Sequence, residues 1–403
     1  MAIPAVPNGD TVVEKPVAVD PSQLPSSKSS DVRLVQATLS EHIQCSRLNA
    51  EEWRGPLTIE QYLKREKHLM AQELTKDGKE VPWILTDTSL PADEHGNRAI
   101  LASCETIPTR AYVARDGKVD TVLIHGIGSV FTRPEHRGKS YASRMMTELG
   151  KTLDTFQQPN GHRSLFSVLY SDIGQNFYSR FGWQAFPSTH IRLGQMSSAT
   201  YQTASEGLPS VQDLTSADLR TIPAKQYVQD ELQTLARTMP GVSLVAVAPS
   251  VEHFEWHHAR EEFVSKALGR SLPQTKGAIH EPTGVAVIWS RTFAAEKSSW
   301  TLHILHVAVP PSVKGSQEGQ AALAALLLRA QHEACRSETL TGVEVWDPSE
   351  DVIAAAQSLQ KEKGDKIEII HRDQDHICSL RWIGPEPAGH RVDWRFTQKY
   401  AWC

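Results

Sequence analysis

Cysteine is scarce in this chain of 403 residues, and long apolar runs are missing. The five cysteines are odd in number, scattered and never spaced as C-x-x-C. Such a pattern predicts reduced thiols and argues against a disulfide framework or a cysteine-based zinc site. No apolar run approaches the length of about 20 residues that spans a bilayer, so no membrane-spanning helix is expected.

The chain also lacks an excess of positive charge. Lysine and arginine number 42 against 47 acidic residues, and the net charge of -5 argues against a broad basic surface for nucleic acid. The first arginine is Arg33, and the residues before it have neither a signal-type apolar core nor an amphipathic basic pattern. We expect a cytoplasmic protein that binds neither nucleic acid nor membrane.

The chain is too long for one hydrophobic core, so two or more domains are expected. Residues 1–31 are rich in Pro, Ser, Val and Ala without periodicity, which predicts a disordered tail. We predict a first domain over 32–195, a polar linker over 196–216 and a second domain over 217–403.

Hydrophobic patterning predicts an α/β fold for both domains. In the first domain the predicted order is β-α-α-β-β-β-α-β-α, a mixed sheet with helices on both faces. Thr58 precedes Gln61 by three residues, the capping-box spacing of a helix start. From Gly284 a second series of strand, strand, helix, strand and helix repeats part of this order. The second domain is therefore a degenerate copy of the first or an unrelated α+β domain.

Residues 130–149 are the most informative stretch for function. An apolar run ends near Phe131, and a small, basic loop from Arg137 to Ala142 then begins a predicted helix. The backbone N–H groups at a helix start are unpaired, and the positive end of the helix dipole lies behind them. This arrangement predicts an anion site suited to a pyrophosphate.

Two common phosphate loops do not match this stretch. A Walker loop needs a glycine five residues before Gly138, where Arg133 stands, and the Rossmann fingerprint needs three glycines. The loop instead resembles the acyl-CoA pyrophosphate loop of the GNAT N-acetyltransferases, written [RQ]-x-x-G-x-[GA]. Arg137 fills its first position and Ala142 its sixth, whereas Ser140 stands at the usual central glycine.

A second GNAT signature follows downstream. The β-rich run 164–170 precedes Tyr178, Gly182 and Trp183, which match the pattern Y-x-x-x-G-[FW]. The resemblance implies a GNAT fold, acetyl-CoA as co-substrate, and Tyr178 as proton donor to the departing CoA thiolate. It also implies a thioester polarised by backbone N–H groups near residues 130–132. The implied acetyl-CoA contacts are Val130, Phe131, Thr132, Arg137, Gly138, Lys139, Ser140, Tyr141, Ala142 and Ser143.

The general base has three candidates. His125 has a suitable intrinsic pKa and lies on the strand that usually supplies the base in the family. Glu105, on the neighbouring predicted strand, is the second candidate and would bind the cationic end of the substrate or relay a proton. The third is the terminal carboxylate of Cys403, because the chain end enters the active site in the similar Eis-type acetyltransferases.

A wider set of features resembles the fungal lysine N-acetyltransferases of the Lyc1 type. The segments 83–85, 104–106 and 128–131 contribute to this resemblance, together with the long second domain. It implies acetylation of the ε-amino group of free L-lysine, the first step of a catabolic route. A protein or other small-amine acetyltransferase, or a catalytically silent acyl-CoA-binding regulator, remains an alternative. We predict no metal, since the pair His253 and His257 lacks the H-E-x-x-H pattern, and the oligomeric state stays open.

Overall fold

The structure is a computed structural model that describes residues 16–402 except 18, 158–163, 338–339, 361–366 and 385–390. The described strands, numbered along the chain, are β1 Val32–Gln36, β2 Val81–Asp87, β3 Ala102–Arg115, β4 Lys118–Phe131, β5 Phe166–Ser171, β6 Gln184–Ala185, β7 Thr189–Gly194, β8 Gln212–Leu214, β9 Val242–Val247, β10 Gly277–His280, β11 Val285–Thr292, β12 Thr301–Ala308, β13 Gly342–Trp346, β14 Ile370–His371, β15 Ile377–Trp382 and β16 Arg391–Trp394. The described α-helices are α1 Leu39–Trp53, α2 Ile59–Met70, α3 Tyr141–Leu153, α4 Asn176–Ser179, α5 Ser198–Ala204, α6 Ala224–Thr238, α7 Val251–Ala267, α8 Gln317–Arg336 and α9 Glu350–Ser358.

Helix starts follow the local sequence closely. Thr58 caps α2 by accepting from the N–H of Gln61, whose side chain accepts from the Thr58 N–H in return. Thr38 and Glu41 form the same reciprocal arrangement at α1. Each pair satisfies two N–H groups that the helix itself leaves unpaired. The predicted capping box at Thr58 is confirmed.

Two mixed sheets form the molecule, and the predicted α/β fold class is confirmed. The first sheet has the order β1-β2-β3-β4-β5-β15-β6, and β9 pairs with β3 while β16 pairs with β9. The second sheet has the order β14-β7-β13-β12-β11-β10-β8. α3 packs its apolar face on the first sheet through Met145, Met146 and Leu149, whereas α8 packs on the second through Leu323, Leu327 and others.

The sheets exchange strands between the two halves of the sequence. Strands β9, β15 and β16 come from the second half of the chain and join the first sheet, whereas β7 joins the second. The predicted linker 196–216 holds structure instead: α5 is capped by Ser197, and β8 pairs with β10. Although this segment is polar in composition, its apolar residue Leu214 is buried. Because strands from each half of the chain join both sheets, the predicted domain boundaries stay a prediction.

Part of the predicted disordered tail is in contact with α3. Residues 1–15 lie outside the described residues, but the Tyr141 hydroxyl donates to the Pro25 carbonyl at 2.5 Å. Arg144 donates to the carbonyl oxygens of Ser27 and Val32 at 2.9 Å each. Composition alone does not reveal such contacts, because a distant helix provides both donors. No described helix is long and apolar enough to cross a membrane.

A cleft opens where β4 and β5 separate. These parallel neighbours pair from Ile124 with Phe166 to Ile127 with Leu169, and the pairing ends there. On the other side of β4, Glu105 pairs with Gly128 and Ser103 with Phe131, so Ser129 and Val130 form a bulge. Ser129 adopts φ +51°, a left-handed conformation that bends the strand.

Candidate active site

A cavity of about 600 Å³ occupies this cleft. Its walls come from both halves of the chain. From the first half it is lined by Glu52, Trp53, Tyr62, Arg65, Glu66, Leu69, Glu80, Glu105, Ile107, Ile127, Gly128, Ser129, Val130, Phe131, Thr132, Arg137, Ala142, Leu169, Tyr170, Asp172, Ile173, Phe177 and Tyr178. From the second half it is lined by Trp256 and Arg260 of α7 and by Trp402.

The anion loop lies at one end of this cavity. α3 begins at Tyr141, and its N-cap residue Ser140 makes no side-chain capping bond, so the first-turn N–H groups stay available. Gly138 and Ser140 have φ of +80° and +64°, which turn the chain sharply into the helix. Arg137 is half-exposed and donates to the Thr132 carbonyl at 3.1 Å. The loop therefore combines free N–H groups with positive charge, as a pyrophosphate requires.

Apart from Tyr141, the predicted acetyl-CoA contacts divide into two groups by position. Val130, Phe131, Thr132, Arg137 and Ala142 line the cavity. The loop residues Gly138, Lys139, Ser140 and Ser143 lie beside it without lining it.

Tyr141 differs from the other loop residues. Its side chain is 1% exposed, its ring meets that of His136 edge-on, and its hydroxyl donates to the Pro25 carbonyl. The part of Tyr141 in acetyl-CoA binding stays a prediction.

The bulge in β4 lies at the cavity. Because Ser129 and Val130 have no one-to-one partners on β3, the hydrogen-bond ladder is interrupted at these residues. Both residues line the cavity, where a carbonyl oxygen that gains negative charge needs N–H donors. This position overlaps the predicted stretch 130–132 and extends it by one residue.

Tyr178 faces the same cavity from α4. Its side chain is 6% exposed, and burial with the nearby charge of Asp172 raises the pKa of its phenol. The phenol is therefore protonated at neutral pH. Within the described part of the chain its hydroxyl has no hydrogen-bond partner. A buried, protonated and unengaged hydroxyl is suited to donate a proton to a leaving thiolate.

Two carboxylates of the cavity wall form a cluster with a buried histidine. His42 Nε2 lies 2.8 Å from Glu105 Oε1 and 3.8 Å from Glu80 Oε1. His42 is buried on α1, whereas Glu80 and Glu105 line the cavity. Glu105 was a sequence candidate. His42 and Glu80 were not, because they are distant in sequence and no fixed spacing connects them.

The charges in this cluster depend on one another. Burial alone would lower the pKa of His42, but its hydrogen bond to Glu105 and the nearby carboxylate charges raise it to about 9. Burial and the charge of Glu105 raise the pKa of Glu80 to about 8. Burial would raise the pKa of Glu105 too, yet the His42 bond holds it below its ordinary value. Of the two carboxyl groups, Glu80 is the one whose pKa is raised toward neutral pH.

The spacing of this cluster suits either a cationic amine or a metal ion. Its donor atoms lie within 4.8 Å of one another, a spacing that either ligand accepts. His42 Nε2 lies within hydrogen-bond distance of Glu105 Oε1, whereas its Nδ1 has no hydrogen-bond partner among the described residues. An ammonium group needs only the two carboxylates.

His125 does not reach the cavity. It lies on β4 where that strand still pairs with β5, opposite Ser167, so no opening exists at this depth. Its ring nitrogens lie 3.1 Å from Ser164 Oγ and 3.1 Å from Gln157 Oε1, and burial lowers its pKa to about 4. The structure therefore assigns His125 to packing. Cys403 lies outside the described residues.

Two family comparisons match the chain in its two halves. The LYC1 GNAT-like C-terminal domain matches residues 195–403, and the acetyltransferase (GNAT) domain matches residues 94–186. The chain belongs to the GNAT superfamily and carries a LYC1-like C-terminal domain. The chain therefore carries tandem GNAT-like domains, and the loop at α3 lies within the segment that matches the acetyltransferase (GNAT) domain.

Individual relatives are more distant. The chain is 29% identical over 252 residues to an uncharacterized protein of Saccharomyces cerevisiae, covering 56% of this chain and 62% of that protein. It is 26% identical over 266 residues to a lysine acetyltransferase of Yarrowia lipolytica, covering 56% and 64%. A solved probable N-acyltransferase from Enterococcus faecalis superposes with a TM-score of 0.52 at 14% identity, over 87% of this chain and 72% of that one. The last likeness concerns the fold alone.

Proposed function

We propose that this protein transfers an acetyl group from acetyl-CoA to the ε-amine of free L-lysine. The observation that carries the proposal is the paired carboxylates of Glu80 and Glu105 in the same cavity as Tyr178 and the α3 loop. A cationic amine is the substrate group that such carboxylates attract. The similarity to the Yarrowia lipolytica lysine acetyltransferase supports lysine among the possible amines. We further propose a cytoplasmic protein that acts at the start of lysine breakdown.

Donor binding comes first in the proposed mechanism. The N–H groups at the start of α3, together with Arg137, bind the pyrophosphate of acetyl-CoA. The pantetheine arm then follows the separation between β4 and β5 toward the bulge at Ser129 and Val130. The thioester carbonyl oxygen accepts hydrogen bonds from the interrupted backbone there.

Proton transfer to Glu80 activates the amine. An alkyl ammonium has an ordinary pKa of about 10.4, so it must lose a proton before it attacks. The carboxylate of Glu80 takes this proton, while Glu105 and His42 keep their opposite charges. The free amine forms a bond to the thioester carbon, and the C–S bond then breaks. Tyr178 gives its proton to the thiolate and regains one from the new amide nitrogen through solvent.

Steady-state release of CoA tests the proposal. We expect free L-lysine to support turnover and a lysine-containing peptide to support far less, since the cavity is bounded by side chains of both halves. Nα-acetyl-lysine and short diamines serve as comparison substrates. Efficient turnover of the peptide would contradict free lysine as substrate, and acetyl-CoA binding without release by any amine would indicate an acyl-CoA-binding regulator instead.

A further inference from the structure

Arg260 is a charged side chain in the cavity wall that forms no ion pair with any described residue. Within the described residues its guanidinium forms no hydrogen bond and no salt bridge. The other arginines of the cavity are engaged. Arg65 lies 2.6 Å from a Glu66 oxygen, and Arg137 lies 3.1 Å from a Glu52 oxygen.

The surroundings of Arg260 favour a bound anion. Burial, with a contribution from the charge of Arg65, lowers the pKa of Arg260 to about 10, so the group is still charged at neutral pH. A buried charge without a partner is costly, and an anion that reaches it recovers much of that cost. The guanidinium lies over the Trp402 ring, 5.2 Å from its centroid. Its N–H edges are then available for a carboxylate, the anion whose geometry they match.

Among the described residues, no acidic group of the cavity forms an ion pair with Arg260, and Glu66 acts on it only through the field of its charge. Glu66 is taken by Arg65, and Glu52 is taken by Arg137. Glu105 is held by His42 on the wall formed by the first half of the chain. The cavity therefore presents carboxylates from the first half of the chain and one unpaired cation from the second half.

We propose that Arg260 binds the carboxylate of a free amino-acid substrate and thereby selects amino acids over amines that lack a carboxylate. This inference rests on the proposed function, because it assumes that the amine lies at Glu80 and Glu105. It adds a specificity-determining residue on the LYC1-like half of the chain.

Paired substrates test the role of Arg260. L-lysine and L-lysinamide differ in the negative charge of the carboxylate, so wild-type kcat/KM is expected to be higher for lysine. Arg260→Gln is expected to lower kcat/KM for lysine by about tenfold to hundredfold, the range of a lost hydrogen bond to a charged group. The value for lysinamide is expected to stay unchanged, and Arg260→Lys is expected to restore part of the preference.

Arg220→Gln is the matched control. Arg220 is exposed and pairs with Glu255 on the outer side of α7 at 2.7 Å, so its loss changes the same helix without touching the cavity. Equal losses for lysine and lysinamide in Arg260→Gln, or equal wild-type values for the two substrates, would overturn the inference. Thermal unfolding of each variant shows whether a loss reflects folding.

A binding measurement separates this inference from the proposed function. L-norleucine keeps the carboxylate of lysine but lacks the ε-amine, so its binding by calorimetry does not depend on turnover. Binding to wild type and to Arg220→Gln, but not to Arg260→Gln, would support the carboxylate site even if lysine is not acetylated. Failure of wild type to bind norleucine would overturn it, whereas failure to release CoA with any amine would overturn only the proposed reaction.

Discussion

Ser140 is the residue at which this chain departs from the usual acyl-CoA loop, and the structure shows what the departure costs. Ser140 is the N-cap of α3 and adopts φ +64° and ψ +19°, within the left-handed region. Only glycine adopts this region without strain. The Ser140 side chain makes no capping hydrogen bond, so replacing it loses no such bond. Ser140→Gly and Ser140→Val therefore test the loop in opposite directions.

The magnitude follows from the backbone conformation. A left-handed residue with a Cβ atom costs about 1–2 kcal/mol. Glycine removes this strain but loses about 0.5–1 kcal/mol more chain entropy on folding. We therefore expect Ser140→Gly to change the free energy of unfolding by between zero and about 1.5 kcal/mol in the stabilising direction. Valine is β-branched, tolerates this region least, and adds methyl groups beside the free N–H groups.

Calorimetric acetyl-CoA binding and thermal unfolding check the two variants. We expect Ser140→Gly to bind as well as wild type or better, and Ser140→Val to bind about tenfold more weakly or worse, as for a lost charge-assisted contact. Asp116, with φ +48° in the turn between β3 and β4, provides the matched control. Asp116→Val should destabilise similarly without changing acetyl-CoA affinity. Wild-type affinity in Ser140→Val would refute the role of the loop backbone.

Other changes address the donor site, the acid and the base. Arg137→Ala should weaken acetyl-CoA binding by about tenfold in calorimetry with unchanged thermal unfolding; unchanged affinity would remove Arg137 from the pyrophosphate site. Tyr178→Phe should lower kcat by about a hundredfold without altering acetyl-CoA affinity, and normal turnover would exclude it as the acid. In wild type, kcat/KM should rise with pH through about 8, because Glu80 must lose its proton to act. Glu80→Gln should abolish that rise. A rise that persists in this variant would mean that a group other than Glu80 causes the pH dependence.

Local patterns in the sequence predict local structure well. The capping box at Thr58, the loop before α3 and the tyrosine on α4 all depend on residues a few positions apart, and each occurs as predicted. The exchange of strands between the sheets does not follow from such patterns. β15 pairs with β5 through Ile377 and Ser171, more than 200 residues apart, and nothing in either segment encodes that register.

The acid–base groups were likewise hard to predict, because they are far apart in the sequence. Glu105 lies in an apolar strand, which marked it as a candidate, but its partner His42 lies on a helix and Glu80 precedes another strand. Only the fold brings the three together. His125 has a suitable ordinary pKa and lies on the expected strand, yet its depth in the paired region encloses it between Ser164 and Gln157. Burial, which spacing does not report, decides whether a titratable residue reaches the cavity.

The exchanged strands explain how residues from both halves meet in one cavity. β16 pairs with β9, which pairs with β3, so a segment late in the chain is fixed to the first sheet. Beyond β16, the Tyr400 hydroxyl donates to the Val247 carbonyl at 2.5 Å, and the Tyr400 carbonyl lies 3.2 Å from His257 Nε2 of α7. These contacts hold Trp402 against Arg260 and connect α7 to β9. β3 also carries Glu105. Backbone pairing therefore connects the strand that holds this carboxylate to the segment that positions Arg260. We infer that the two ends of the cavity are fixed relative to each other before any substrate binds.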